Sequence, residues 1–493
     1  MTKPTRPLET RSPRALAQSA PAPFRPRAVQ ALGVCSFFWI GAAASLLAGC
    51  SSDVPVLSID IVTGHEKDTF TQAPAVTRVD IVGRTLGGAV AHSASAAPGG
   101  AFDFGEVRSE EVLTFEATGV DASGSVVVEG RSLSGIPLSA VAGGVIPVFA
   151  QRVNQWARPP GGLARAHLGA PVAVLGERFL MTTGGSSAAG AEGSADPKTS
   201  DFYDLFGYGG GEGLTMPRAA RSMVARIGAV LLIDEAGASW VDFDINAYED
   251  MALPAGLGSF ADVAGGQTIE SSEGRSFVIG ATRRGGEKTA AILEIKFDGT
   301  LAALELEHPR SGAAAVWLEG TGLVVAGGSA DAPGIEVLAP GTTGFVVREF
   351  PFDAAEGAGA VVVDSNRIAL VGGVLAGAPA PTRFITPGCT QMCAAEEAAE
   401  ATLPVALSDV RAFALVGGRV VAVGSEVGSE VAGPGLTRTF LVGLAAPSVE
   451  EAPLRDPRSN ASVVAAPNGT LSILGGSLAD GSPALTVEMF FPK

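Results

Sequence analysis

Hydrophobic and polar residues follow three different patterns along this chain. Residues 31–48, ALGVCSFFWIGAAASLLA, form an uncharged apolar run. The residues before it carry Lys3, Arg6, Arg11, Arg14, Arg25 and Arg27 against one acid, Glu9. From 55 to 142, short runs alternate apolar and polar positions, at 56–62, 78–82, 102–107, 113–118 and 126–130. A period of two puts alternate side chains on one face, as in a half-buried strand. Asp121-Ala122-Ser123-Gly124 and Pro98-Gly99-Gly100 supply turns between these runs. From 165 onward the pattern repeats: a short apolar strand, a Gly, Asn or Asp turn, a second apolar strand, then often two glycines. No stretch of this half keeps a helical period over ten residues.

The second strands of the repeat are at 179–181, 230–233, 277–279, 323–326, 368–371, 420–423 and 471–474. The position of the second glycine falls at 185, 234, 280, 328, 373, 424 and 476. Spacings of 45 to 52 residues between hairpins of short strands predict the blades of a β-propeller. One such hairpin buries its apolar faces poorly alone, so the blades must stack in a ring. The last repeat lacks a fourth strand, and residues 145–157, VIPVFAQRVNQWA, form an orphan strand upstream. They are expected to close the last blade and cover its edge. Pro159-Pro160-Gly161-Gly162 leaves open a linker there instead. The fold class expected is all-β: a seven-bladed propeller at 143–493 preceded by a small β-sandwich at 55–142, immunoglobulin-like or transthyretin-like.

Gly184-Gly185, Gly327-Gly328, Gly372-Gly373 and Gly475-Gly476 end second strands, and Glu336 and Glu488 lie in third strands. An arginine opens several repeats, at Arg165, Arg218, Arg310 and Arg458. This pattern resembles the kelch repeat over about two thirds of the chain. It is broken at Asp234-Glu235, Gly280-Ala281 and Gly424-Ser425, and most blade Tyr and Trp of that family are missing.

The basic segment and apolar run describe an export signal at 1–49. A transmembrane helix is the alternative, but the run barely reaches spanning length and no basic cluster follows it. Its end, Leu47-Ala48-Gly49-Cys50, resembles the lipobox of bacterial lipoproteins. The resemblance implies cleavage before Cys50, acylation of that cysteine, and a lipidated tether at 50–54. Export without lipidation and a retained anchor remain the alternatives. Several acyl chains on one residue hold a soluble domain on a membrane stably. Ser51 after the cysteine points to the outer membrane of the cell envelope under the enterobacterial sorting rule.

The chain has 493 residues with a net charge of −17. Removal of 1–49 takes away six basic residues and one acid, leaving −22. That balance argues against nucleic-acid binding, which needs clustered Lys and Arg. It also keeps the body off an anionic lipid surface. Cys389 and Cys393 remain, and an oxidising compartment favours a disulfide between them. Free thiols, or a metal with further ligands, are the other readings. The disulfide would pin an excursion with a short helix over 392–401.

With four His and three Tyr, there is little material for catalysis. His167, His308, Tyr203, Tyr208 and Tyr248 do not fit the copper site of galactose-oxidase-like kelch enzymes. Asp242, Asp244 and Asn246 lack the rest of a calcium loop. No catalytic residue, cofactor or metal is expected. The loops after the second strands carry Glu192, Asp196, Asp331, Glu426, Glu430 and Asp480. They are solvated loops or a rim that selects a cationic or polyhydroxyl partner. The expected role is a non-catalytic binding or scaffolding module taking a protein or glycan ligand. A carbohydrate-active enzyme is the alternative and predicts two facing carboxylates in the propeller's funnel.

Overall fold

In the strand Val112–Val120, Leu113, Phe115 and Ala117 are buried while the residues between them are not. Arg78–Thr85 repeats the alternation with Val79 and Ile81. These strands therefore press one face into a core, as the period-two pattern requires. The computed structural model describes residues 57–141, 144–186, 192–328, 334–350, 355–428 and 435–492. Cys50 and the export segment lie outside them. Among the described residues no helix is long and apolar enough to cross a membrane.

The strands from 58 to 152 join in one seven-stranded sheet. Its order is Ser58–Val62, Val145–Arg152, Val126–Arg131, Val112–Val120, Arg78–Thr85 and Val90–Ala96, with Ile136–Pro137 beside Val112–Val120. The expected sandwich is thus replaced by a single sheet whose second layer comes from elsewhere. Ile81, Leu113, Phe115 and Phe149 share one buried cluster with Leu180, Tyr203, Leu474, Met489 and Phe491 of the propeller. A sheet must cover its apolar face, and here the propeller covers it.

Among the described residues, seven four-stranded antiparallel sheets follow. Blades one to six span 172–215, 222–251, 267–310, 314–348, 359–398 and 407–451. Blade seven takes three strands from 462–490 and its outermost strand from Trp156–Ala157. From blade seven through blades one to six, successive inner strands lie beside one another. The second strands, such as Gly322–Ala326, Ile368–Val371 and Leu471–Leu474, are buried at every position. They are sandwiched between neighbouring blades, which explains runs without polar alternation. A separate buried cluster fills each of the seven seams. Among the described residues, only the cluster in the seam between blades seven and one extends into the N-terminal sheet.

The orphan strand closes the last blade, but with Trp156–Ala157 alone. Val145–Arg152 lies inside the N-terminal sheet, parallel to Ser58–Val62 and antiparallel to Val126–Arg131. The boundary expected at 142 therefore moves past 152. One apolar run holds two strands because Asn154, at a left-handed φ of 58°, turns the chain between them. Trp156 anchors the closure: its Nε1–H donates to Thr439 Oγ1 at 2.9 Å, and its ring lies 5.3 Å from that of Phe490.

Candidate functional site

Where they occur, the double glycines help stitch one blade to the next. Gly185 N–H donates to the Ala220 carbonyl ahead of blade two. Gly328 N–H donates to the Ala355 carbonyl ahead of blade five, and Gly476 N–H to that of His167 ahead of blade one. Gly184, at φ +84°, shows why glycine is needed: a Cβ there would sit 1.8 Å from the Ala220 carbonyl oxygen.

The repeated arginines bind inside their own blades. Arg310 and Glu336 are both fully buried, with Arg310 Nη2 3.0 Å from Glu336 Oε1. Arg310 Nη1–H also donates to the Gly327 carbonyl, and Glu336 accepts from the Glu307 and His308 amides. Blade seven repeats this with Arg458, Glu488 and the Gly475 carbonyl. In blade one Arg165 pairs with buried Asp201, and both ring nitrogens of His167 are engaged, by Asp201 and the Gly184 carbonyl. In blade two Arg218 reaches Ser239, Asp234 and Asp250. A buried ion pair survives only when both charges are fully hydrogen-bonded, and these are. The repeated arginine is therefore a structural clasp.

A different set of arginines lines the ring axis. A funnel of about 440 Å³ opens among the starts of the inner strands of blades two to six. Its charged lining is Arg221, Glu235, Arg283, Arg284, Asp409 and Arg411, with glycines and alanines between. Arg221 and Glu235 pair at 3.6 Å, both more than half exposed, which is worth little. Arg283 Nη1–H donates to the Ala261 carbonyl at 2.6 Å, while its buried Nε finds no acceptor among the described residues. A register shift in the first strand of blade six, between Ser408 and Arg411, bulges Asp409 out at a left-handed φ of 51°. Bulges of this kind re-aim side chains. The Asp409 carboxyl reaches water within the funnel, yet the surrounding protein pushes its pKa up, with Arg411 and Arg284 pulling it down. Loss of solvation likewise lowers that of Arg411, while Asp409 raises it.

These charged residues come from blades two, three and six, the blades whose double glycine is broken. Glu235 belongs to the Asp234-Glu235 pair that stands where blade two breaks the double glycine, and Arg283 and Arg284 follow Gly280-Ala281. Blades four and five contribute only Ala313, Gly357 and Ala358. The breaks in the repeat were the available signal for this site.

The residues singled out from the sequence have other places. The Cys389 and Cys393 sulfurs are bonded, with their Cα atoms 5.0 Å apart. They lie between the third and fourth strands of blade five, so on the face opposite the funnel mouth. The helix expected over 392–401 is instead the outer strand Ala395–Ala398 and a short 3-10 turn. Asp196, Glu426 and Asp480 each have a partner within their own blade. Asp196 accepts from the Lys198 amide, Asp480 from Ser482, and Glu426 pairs with Arg438 at 2.8 Å. Glu192 lies in a turn on the same face, whereas Asp331 and Glu430 fall outside the described residues. Tyr203 Oη–H donates to the Pro160 carbonyl, and Tyr208 Oη accepts from the Phe149 amide. Burial pushes both phenols above their ordinary pKa. Asp242 accepts from the Asp244 and Ile245 amides and so closes its own turn. Among the described residues no three His, Cys, Asp or Glu side chains are grouped to hold a metal.

No protein-family model matches the chain, and none of the curated proteins matches it. The chain is an all-β protein with a seven-bladed propeller whose axis carries a charged funnel, preceded by one seven-stranded sheet.

Proposed function

We propose that this is an exported lipoprotein, anchored through Cys50, whose kelch-like propeller works as a non-catalytic binding or scaffolding module. The observation that carries the reading is the placing of the funnel relative to the N-terminal sheet. The funnel is built from residues at the starts of inner strands and after second strands. The sheet meets the ring at turns of the other face, where Tyr208 holds Phe149 and Ser134 reaches the Pro467 carbonyl. Successive turns of a meander alternate between faces, so the two sets lie on opposite sides of the ring. Ser58 pairs with Val145, at the end of the sheet remote from the closure at Trp156. An anchor eight residues before Ser58 would therefore leave the mouth facing away from the membrane.

In this reading lipid holds the chain at the envelope, in the outer membrane by the residue after the cysteine. The sheet acts as a stalk, and the rigid ring presents the funnel to a protein or glycan. Two measurements test it. Cys50→Ala is expected to release the protein into the soluble fraction; unchanged membrane fractionation removes the anchor. Affinity capture from detergent extract by the intact chain is expected to recover a stoichiometric protein or a glycan. Recovery of neither removes the binding role.

A further inference from the structure

We infer that the funnel binds a small anionic ligand, one bearing a carboxylate or phosphate beside hydroxyl or amine donors, with Arg284 and Arg411 holding the anion and Asp409 accepting a donor. This rests on reading the funnel as the binding site and names what enters it.

The first support is a local inversion of charge. The chain carries −17 overall, yet the funnel lining holds four arginines against two acids, one of which is already paired with Arg221. At physiological ionic strength, fields are screened over about 8 Å, so a ligand inside the mouth meets the arginines rather than the acidic body. The second support is unspent hydrogen-bonding capacity. Every clasp arginine described above has acceptors. Arg284 and Arg411 make no side-chain hydrogen bond and no ion pair within 4.0 Å among the described residues, and Arg283 keeps a buried Nε–H without an acceptor. Their planar forks suit carboxylate and phosphate oxygens, and no lysine lines the funnel.

The third support is local distortion. The bulge at Ser408–Arg411 and the left-handed Asp409 hold a carboxylate close enough to both arginines to feel their charge, without ion-pairing to either. Strain of this kind collects at binding sites. A bare anion would be repelled by Asp409. A ligand that offers the carboxylate a hydroxyl or ammonium would not be, which selects a sugar acid, a sugar phosphate or a similar compound over a simple ion. Gly265, Gly285, Gly286 and Gly357 keep the walls low enough for such a molecule.

The test is calorimetric titration of the intact chain in detergent with glucuronate, glucose 6-phosphate, inorganic phosphate, glucose and spermidine. Glucuronate or glucose 6-phosphate is expected to bind one to one, at least about tenfold tighter than glucose. The better of the two identifies the anion. Arg284→Gln and Arg411→Gln should each weaken it about tenfold or more with unchanged melting temperature. Asp409→Asn should weaken the donor-bearing ligand and strengthen inorganic phosphate. Tighter binding of glucose or spermidine, undiminished anion binding in the double arginine variant, or no binding of any anion would overturn the inference. If no anion binds but the intact chain still captures an envelope partner, the anion site fails while the binding role stands.

Discussion

In blade four the second strand ends in Gly327-Gly328, and a buried arginine ties the first glycine's carbonyl to Glu336 on the third strand. In blade six the corresponding strand, Arg419–Glu426, runs on through Gly424-Ser425, and the facing strand bulges at Asp409. The first arrangement uses its buried charges to tie together strands of its own blade. The second leaves an arginine and a carboxylate on the ring axis without direct partners. Blades two and three side with blade six. Where the repeat is broken, some of its charged residues face the funnel, although Arg218 still clasps blade two. Regularity in a ring is a stability device, and departures from it are where function can be housed.

The comparison is sharpest in its energetics. Arg310→Ala leaves Glu336 charged and buried and should cost about 3–5 kcal/mol, read as a lower midpoint in denaturant. Arg411→Ala in the same assay should cost far less. Equal losses would erase the distinction between clasp and funnel arginines. Gly184→Ala comes next, because it forces both a left-handed φ and a clash with the blade-two carbonyl. A loss of about 1–3 kcal/mol is expected by thermal melting, and a neutral result would mean that the blade seams can shift to make room.

The smallest effect is in pH, and its sign separates the two kinds of blade. In blade one burial raises Asp204, but the Arg178 guanidinium and the Phe206 amide more than offset this and hold its pKa below 3.8. Its stabilisation is complete above the unfolded value and is lost as pH falls through the folded one. Asp409 has a raised pKa. Its ionisation costs stability above that pKa, and the cost vanishes as pH falls through it. Melting curves from pH 7 downward should therefore show Asp204→Asn flattening the acid limb and Asp409→Asn stabilising slightly at pH 7. The same direction in both variants would break the comparison.

Much of this fold was legible in the residues themselves. Hairpin runs such as 368–371 and 471–474 carry their own turn signals and spacing, and local patterns of that kind survive folding. The second layer over the N-terminal sheet was not legible. Phe115 and Phe149 share their buried cluster with Met489 and Phe491, and no local pattern reports a partner hundreds of residues away. The split of 145–157 hinged on one turn residue, Asn154, inside an apolar run. The funnel was legible only in outline. Arg221 and Arg411 are 190 positions apart and line one funnel because the ring closes, while Asp196 and Asp480 cap their own turns and Glu426 pairs with Arg438.

The strand that completes the ring is also the first part of the ring to be made. Trp156 and Ala157 leave the ribosome more than three hundred residues before Met489 and Phe490, their partners. Until those last residues arrive, the nascent ring has two raw edges, and the early segment must wait unpaired. Completion is therefore a single late event, and a chain stopped short of its final strand would keep the ring open and its edges exposed to other chains.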